Sequence, residues 1–319
     1  MKAAVRSKYG SPKVLTIREV KIPTPKDDEI LIRVYATTVN RTDCHILSGL
    51  PFIMRFFTGL FKPRLATTGT DFAGQIESAG KNVKSFKPGD KVMGFGGAFG
   101  CGSHAQYFTL PETKAIITIP GNITYDQAAA CIEGASYALD VVNMVNPAAG
   151  QKALVIGATG AIGSSTVQFL KFHGVYVTAV CSSENSDLVK SLGADKVIDY
   201  KNDDFTKDRE RYDFIFDSVA KSTFSKCKHL LKKKGIYTSS GGIENIFPLL
   251  ITPLLGGKKV LFRPPKNIKA GLSIIKDLIE KGKFRAVIDR KYPLDKIVEA
   301  FEYVETGQKI ANVIITMDA

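Results

Sequence analysis

An apolar run, Ala153-Leu154-Val155-Ile156, stops at Gly157, passes through Ala158-Thr159-Gly160 and gives way at Ala161-Ile162-Gly163 to a helix-like pattern reaching Leu170. Strand, tight turn and helix start in that order form the opening of a βαβ unit, which commits the neighbouring chain to a parallel sheet covered on both faces. A helix N-terminus offers N–H groups without intrahelical partners and the favourable end of the dipole, and glycine lets a phosphate approach the backbone closely. A pyrophosphate is therefore expected at Gly157, Thr159, Gly160, Ala161 and Ile162. The spacing Gly157, Gly160, Gly163 departs from the usual fingerprint, with Ala158 at its second glycine. An ordinary strand-to-helix turn would look the same locally, so the flanking pattern has to decide.

That pattern alternates. After Thr124-Tyr125-Asp126-Gln127, a capped helix start, one helix is expected to run through Ala128 to Val145 and to end at Pro147 and Gly150. Strands then read at 152–156, 175–180, 196–199, 213–217, 235–239 and 258–262, with helices at 161–173, 185–192 and 222–231. Residues 1 to about 120 differ: short alternating or apolar runs such as Val14 to Val20 and Glu29 to Thr38, punctuated by prolines, read as β-rich, with a short helix at Asn40 to Gly49. The tail offers a helix at 267–281, a strand near 286–290, a helix at 294–306 and a strand at 311–316. It is too short for a domain and is expected to return to the first one. The apolar stretch Phe52 to Phe61 reads either as a pocket wall or as core.

Composition narrows the class. The chain has 319 residues and no early run of about 18 apolar residues, and its N-terminus lacks a signal-peptide core. A cytoplasmic protein without a membrane partner is expected. Five cysteines without a CxxC pair fit reduced thiols. The net charge of +13 favours anionic ligands and allows nucleic acid, but it is dispersed. Lys232-Lys233-Lys234, before Gly235, reads as a helix end or a solvated face.

Thr68-Gly69-Thr70-Asp71-Phe72-Ala73-Gly74, Phe86-Lys87-Pro88-Gly89-Asp90-Lys91-Val92, Ala128-Ala129-Ala130 with Gly134, the Gly157–Gly163 turn, Leu192-Gly193-Ala194-Asp195 with Ile198-Asp199-Tyr200, and Asp213 to Asp217 with Ser218-Val219 follow in order along the whole chain. In this order and spacing they resemble the medium-chain dehydrogenase/reductase superfamily, and look closest to its zinc-free, zeta-crystallin-like quinone oxidoreductase branch. The resemblance implies an α/β fold: a Rossmann doubly wound parallel sheet, 123–262, inserted in a GroES-like β-rich catalytic domain made of 1–122 and 263–319, and a homodimer.

The resemblance also places zinc ligands of related alcohol dehydrogenases on Asn40, Thr70 and Ile132, none of which ligates zinc well; Cys44, His45 and Cys131 lie nearby but off register. No metal is expected. Without a Lewis acid to form an alkoxide, hydride transfer from the cofactor to a quinone or α,β-unsaturated carbonyl is the expected reaction. The strand Val175 to Val180 ends in Cys181-Ser182-Ser183 instead of a carboxylate, which leaves room for a ribose 2′-phosphate, so NADPH is expected in preference to NADH. Ser182 and Ser183 also suit helix capping. By family position Tyr200 would contact the 2′-phosphate, although the basic residue often found after the strand is replaced by Glu184-Asn185. Asn40 would approach the nicotinamide, Ser136 its carboxamide, and Gly241 and Gly242 would pass beside it. Thr70 and His45 would line the substrate pocket, making Asn40, His45 and Thr70 the catalytic candidates, while His45 stands where many relatives have tyrosine. Asp43 and Asp71 read as turn-holding residues.

Two other readings stay open: an alcohol/aldehyde dehydrogenase-type reductase using NAD(H), and a non-catalytic NADPH-binding protein that engages RNA or another protein. A short-chain dehydrogenase would need Tyr-x-x-x-Lys on a helix; Tyr292 to Lys296 has the spacing, but Pro293 spoils it.

Overall fold

The computed structural model describes residues 1–241, 243–262 and 266–317. In chain order it begins with β1 (Lys2–Val5), β2 (Thr16–Glu19), β3 (Glu29–Val39), α1 (Arg41–Ser48), α2 (Met54–Thr58), β4 (Asp71–Ala79), β5 (Lys91–Phe95), β6 (Tyr107–Pro111), β7 (Ala115–Thr118) and α3 (Tyr125–Ala130). There follow α4 (Glu133–Val145), β8 (Lys152–Ile156), α5 (Ala161–Phe172), β9 (Tyr176–Cys181), α6 (Ser186–Ser191), β10 (Lys196–Asp199), β11 (Tyr212–Asp217), α7 (Phe224–Cys227), β12 (Leu231–Ser239), α8 (Ile246–Ile251) and β13 (Lys259–Leu261). The chain ends with α9 (Ile268–Glu280), β14 (Ile288–Pro293), α10 (Ile297–Glu305) and β15 (Asn312–Thr316). The fold divides into two units, Met1–Glu133 with Asn267–Ala319, and Gly134–Lys266.

In the first unit a seven-stranded sheet has the order β14-β15-β3-β4-β5-β7, with β6 also on β3. Alternation along β3 sends Ile30, Ile32 and Val34 into a core with Phe72, Ile76, Phe108, Phe301, Val313 and Ile315. Burying each such side chain contributes roughly 1.5–3 kcal/mol. The tail returns to this sheet, since β15 pairs antiparallel with β3 from Val313 opposite Val39 to Thr316 opposite Ala36.

The second unit is the expected parallel sheet, ordered β10-β9-β8-β11-β12-β13. Strand order reverses between β8 and β11, and ligands of such sheets bind at the carboxyl ends of the strands beside this reversal. Leu154, Ile156, Val180, Ile215, Tyr237 and Val260 form its core.

Two local expectations fail. The helix read from Thr124 to Val145 breaks after Ala130: Thr124 caps α3 through a reciprocal bond with Gln127, but α3 stops and α4 starts at Glu133. Lys232-Lys233-Lys234 is a solvated face, as one of its two readings had it, and the helix-end reading fails. It lies exposed in β12, where a register shift between Tyr212 and Phe214 lets the strand bulge and Lys232 reaches Asp213 at 2.7 Å. Tyr292 lies in β14, which Pro293 ends, so Tyr292 and Lys296 do not share a helix. Among the described residues no helix is long and apolar enough to cross a membrane.

Candidate active site

At the end of β3 the chain turns into α1 through Asn40, whose backbone N–H donates to the Asp43 carboxylate at 2.9 Å, fixing the helix start. The Asn40 side chain faces inward. Its Nδ2 lies 2.6 Å from Thr38 Oγ1, 2.9 Å from Glu133 Oε2 and 3.2 Å from Asp71 Oδ2. Thr70, just before β4, donates its hydroxyl to the same Glu133 oxygen at 2.8 Å, and Thr42 donates to the other. Glu133, which ends the N-terminal segment of the first unit, thus ties together Asn40, Thr42 and Thr70. Asp71 in turn accepts from the Thr38 N–H at 3.0 Å and the Thr38 hydroxyl at 2.7 Å.

Three carboxyl groups, Asp43, Asp71 and Glu133, are buried within one bond network. Burial is the main cause that pushes Asp71 up to about 7, with the Glu133 charge adding to it and the Thr38 donors opposing it. Burial likewise raises Asp43 well above the ordinary carboxylate range, helped by Glu133 and Asp71. His104 supports the network from behind: Nε2 is 2.9 Å from the Thr38 carbonyl and Nδ1 2.7 Å from Thr68 Oγ1. Burial lowers its pKa to about 4, so it is a neutral strut. Ile132 is fully buried and offers no donor atom, and burial pushes the Cys44 and Cys131 thiols up to about 12, leaving both protonated at neutral pH.

In the second unit the glycine turn has the geometry a phosphate needs. Gly157 has φ +72°, and a Cβ there would lie 2.5 Å from Val219 Cγ1. Gly163 has no room for one either, since it would meet the Gly157 carbonyl oxygen at 2.1 Å. Ala158 is completely buried, so its methyl group does not project from the turn. Thr159, Gly160, Ala161 and Ile162 remain partly exposed at the open side, and Gly160 gives α5 no side-chain cap. The first turn of α4 packs directly on that of α5, where a Cβ on Gly134 would stand 2.7 Å from the Ala161 Cβ. This places Ser136 nearby; its Oγ is buried without a hydrogen-bond partner among the described residues. An uncapped helix start and an orphaned buried hydroxyl fit a bound dinucleotide.

Across the strand reversal, the buried Asp217 accepts N–H groups from Val219, Lys221 and Ser222 and the Tyr237 hydroxyl, which shapes the loop after β11. Ala220 in that loop has φ +52°, a strained conformation for a non-glycine residue. Gly241 adjoins an apolar pocket of about 230 Å³ lined also by Ser239, Asn245, Leu249 and Phe262. Gly242 lies outside the described residues.

At the end of β9, Ser182 accepts from Asn185 Nδ2 at 2.9 Å, and Ser183 bonds to Asp199 at the end of β10. The Tyr200 N–H reaches the Cys181 carbonyl at 3.2 Å, which brings the exposed Tyr200 beside them. The structure therefore gathers Ser182, Ser183 and Tyr200. It adds Lys201, paired with Glu184 at 2.7 Å. A basic residue is missing after β9 but present in the turn after β10.

Asn40 and Thr70 come together as their positions in the family motif implied, but His45 does not join them: it is exposed on α1 and its ring has no hydrogen-bond partner among the described residues. Sequence reasoning missed Glu133, one position past the aligned Ile132, although it is the single charge in the small and apolar run Ala128 to Ala138. The core reading of Phe52 to Phe61 also fails, because Phe52, Phe56, Phe57 and Phe61 are 51–91% exposed.

Residues 26–121 match the alcohol dehydrogenase GroES-like domain family, and residues 192–315 match the zinc-binding dehydrogenase family. The chain is 32% identical to the chloroplastic quinone-oxidoreductase QR1 of Triphysaria versicolor, covering 93% of this chain and 92% of that one. It is 31% identical to the 2-methylene-furan-3-one reductase of Solanum lycopersicum, over 99% of this chain and 79% of that one. The solved quinone oxidoreductase of Coxiella burnetii superposes with a TM-score of 0.87 at 26% identity, covering 100% of this chain and 99% of that one. A six-stranded nucleotide-type sheet, a GroES-like companion and these relatives lead to one placement: the protein belongs to the medium-chain dehydrogenase/reductase superfamily, in its quinone oxidoreductase branch.

Proposed function

We propose that this protein transfers hydride from NADPH to quinones or α,β-unsaturated carbonyls without using zinc. The observation that carries the reading is the Asn40–Thr70–Glu133 network: the positions aligned with metal ligands hold an amide and a hydroxyl whose protons are committed to a carboxylate, and the third is a buried isoleucine. The zinc-binding name of the matched family does not extend to this donor set. An acceptor activated by its own carbonyl needs positioning and hydrogen bonds to the developing oxygen anion, and no Lewis acid. The nicotinamide would supply the hydride. Asn40 and Thr70, held by Glu133, would shape the acceptor site, from which His45 stands apart on the exposed face of α1. The α5 start with Gly157, Thr159, Gly160, Ala161 and Ile162 would hold the pyrophosphate, Ser136 the carboxamide, and the Gly241 segment would flank the ring.

NADPH is favoured over NADH by Ser182, Ser183, Tyr200 and Lys201. Asp199 weighs the other way, but its charge is answered by the Lys201 N–H, Asn202 and Ser183. A homodimer belongs to the same proposal: among the described residues β13 is an open sheet edge, and Ile246, Phe247, Leu250, Leu254 and Leu255 beside it are 53–84% exposed. So does a reducing compartment, since all five cysteines are unpaired.

NADPH and NADH oxidation over a panel of quinones and enones, with metal analysis of the purified protein, tests each part. Consumption of NADPH with at least one acceptor, a kcat/KM ratio of about ten or more over NADH and substoichiometric zinc are expected. Absence of turnover across the panel sinks the function, a preference for NADH sinks the cofactor assignment, and one zinc per chain sinks the zinc-free mechanism.

A further inference from the structure

Segment 50–65 inverts the usual arrangement of a surface helix. In and around α2 the polar Thr58 and Gly59 are buried, tied to the Tyr9 hydroxyl at 2.8 and 2.5 Å, whereas Leu50, Phe52, Ile53, Phe56, Phe57 and Phe61 point outward. Phe61 is 91% exposed. The face is ordered, with the Gly59 N–H on the Arg55 carbonyl, the Arg64 N–H on the Thr58 carbonyl, and Phe57 stacked on Phe99 at 4.6 Å. From Cys44 to Thr70 the chain has no acidic residue but carries Arg55, Lys62 and Arg64, and Gly96 to Gly102 around Phe99 is uncharged. Among the described residues, none of these three cations is in an ion pair.

We propose that this face docks the protein peripherally on an anionic lipid bilayer, with Phe56 and Phe61 entering the headgroup boundary and Lys62 and Arg64 lying against the lipid phosphates. The charge argument selects lipid over a second copy, because a two-fold contact through this face would oppose its cations to themselves. Apolar side chains on an ordered helical turn, rimmed by basic residues, have the composition of an interfacial anchor. The net charge of +13 adds attraction to such a surface. Docking is independent of the hydride-transfer reading, so either can fail alone.

The test is sedimentation of the full purified chain with vesicles of phosphatidylcholine, or of phosphatidylcholine with about 30% phosphatidylglycerol, at low and high salt. Binding to the anionic vesicles is expected, weakening at least tenfold without the anionic lipid and again in about 0.5 M salt, where screening shortens electrostatic reach to a few ångströms. Each basic residue at such a surface strengthens binding about fivefold, so Lys62→Glu with Arg64→Glu should weaken it at least 25-fold. Phe56→Ser with Phe61→Ser should weaken it at least tenfold while leaving the salt dependence in place. The chain has no tryptophan. A Phe61→Trp variant therefore gives a second readout that does not depend on how the double variants fold: its emission should shift to the blue with anionic vesicles only. Wild-type protein that stays in the supernatant, double variants that bind like wild type, an unshifted emission from the Phe61→Trp variant, or a change in oligomeric mass without vesicle binding would each overturn the proposal.

Discussion

Asp71 carries the clearest titration signature of the site. Its pKa is about 7 in the folded protein, against roughly 3.9 in an unfolded chain, so the folded state holds the proton more tightly. Stability from this group is full below about pH 4 and is lost as pH rises through about 7. His104 acts in the opposite sense, losing stability as pH falls from about 6.5 towards 4, so the wild-type profile alone does not isolate either group. We expect Asp71→Asn to gain on wild type steadily between pH 4.5 and 8, by up to about 4 kcal/mol at three pK units, in urea unfolding at each pH. A constant difference would mean that Asp71 ionises normally. Glu133→Gln should move the Asp71-linked transition to lower pH, since the Glu133 charge is the second cause of the shift; an unmoved transition would show that burial alone sets it. The Glu133 partners lie 63 to 93 positions away in the chain, a separation that residue spacing alone does not encode.

At the level of elements, β8, the turn and α5 were legible because an apolar run, small residues and a helical period agree locally. The boundary between α3 and α4 was hidden because the apolar period runs across the break at Cys131-Ile132. Lys201 escaped notice because its partner Glu184 is on the neighbouring strand's loop, so only the parallel pairing of β9 with β10 reveals it. For Phe52 to Phe61 apolar composition reports no direction, so the core alternative could not be set aside until the segment was seen to face outward. The turn itself offers a stringent check. Gly157→Ala places a methyl group against Val219 and forces alanine to φ +72°; it should weaken NADPH binding at least tenfold in a fluorescence titration. Adding Val219→Ala should restore part of that loss, leaving a conformational cost of about 1–2 kcal/mol. Full affinity in the single variant would show that the turn does not hold the cofactor.

For the whole molecule, the β13 edge and its exposed leucines set the next expectation: if the proposed dimer forms, Leu254→Glu should yield a monomer by light scattering, and wild-type protein at monomer mass would remove the dimer from the proposal. The chain's order along the fold also governs how it is made. Unit Gly134–Lys266 is continuous, so it can close while the ribosome is still adding residues, whereas the β3 edge beside Val39 waits for β15, which is made after that whole unit. Until Asn312–Thr316 arrives, the Ala36–Val39 end of β3 lacks the partner it has in the folded sheet, and a strand made early depends on one made about 270 residues later for protection from wrong pairings.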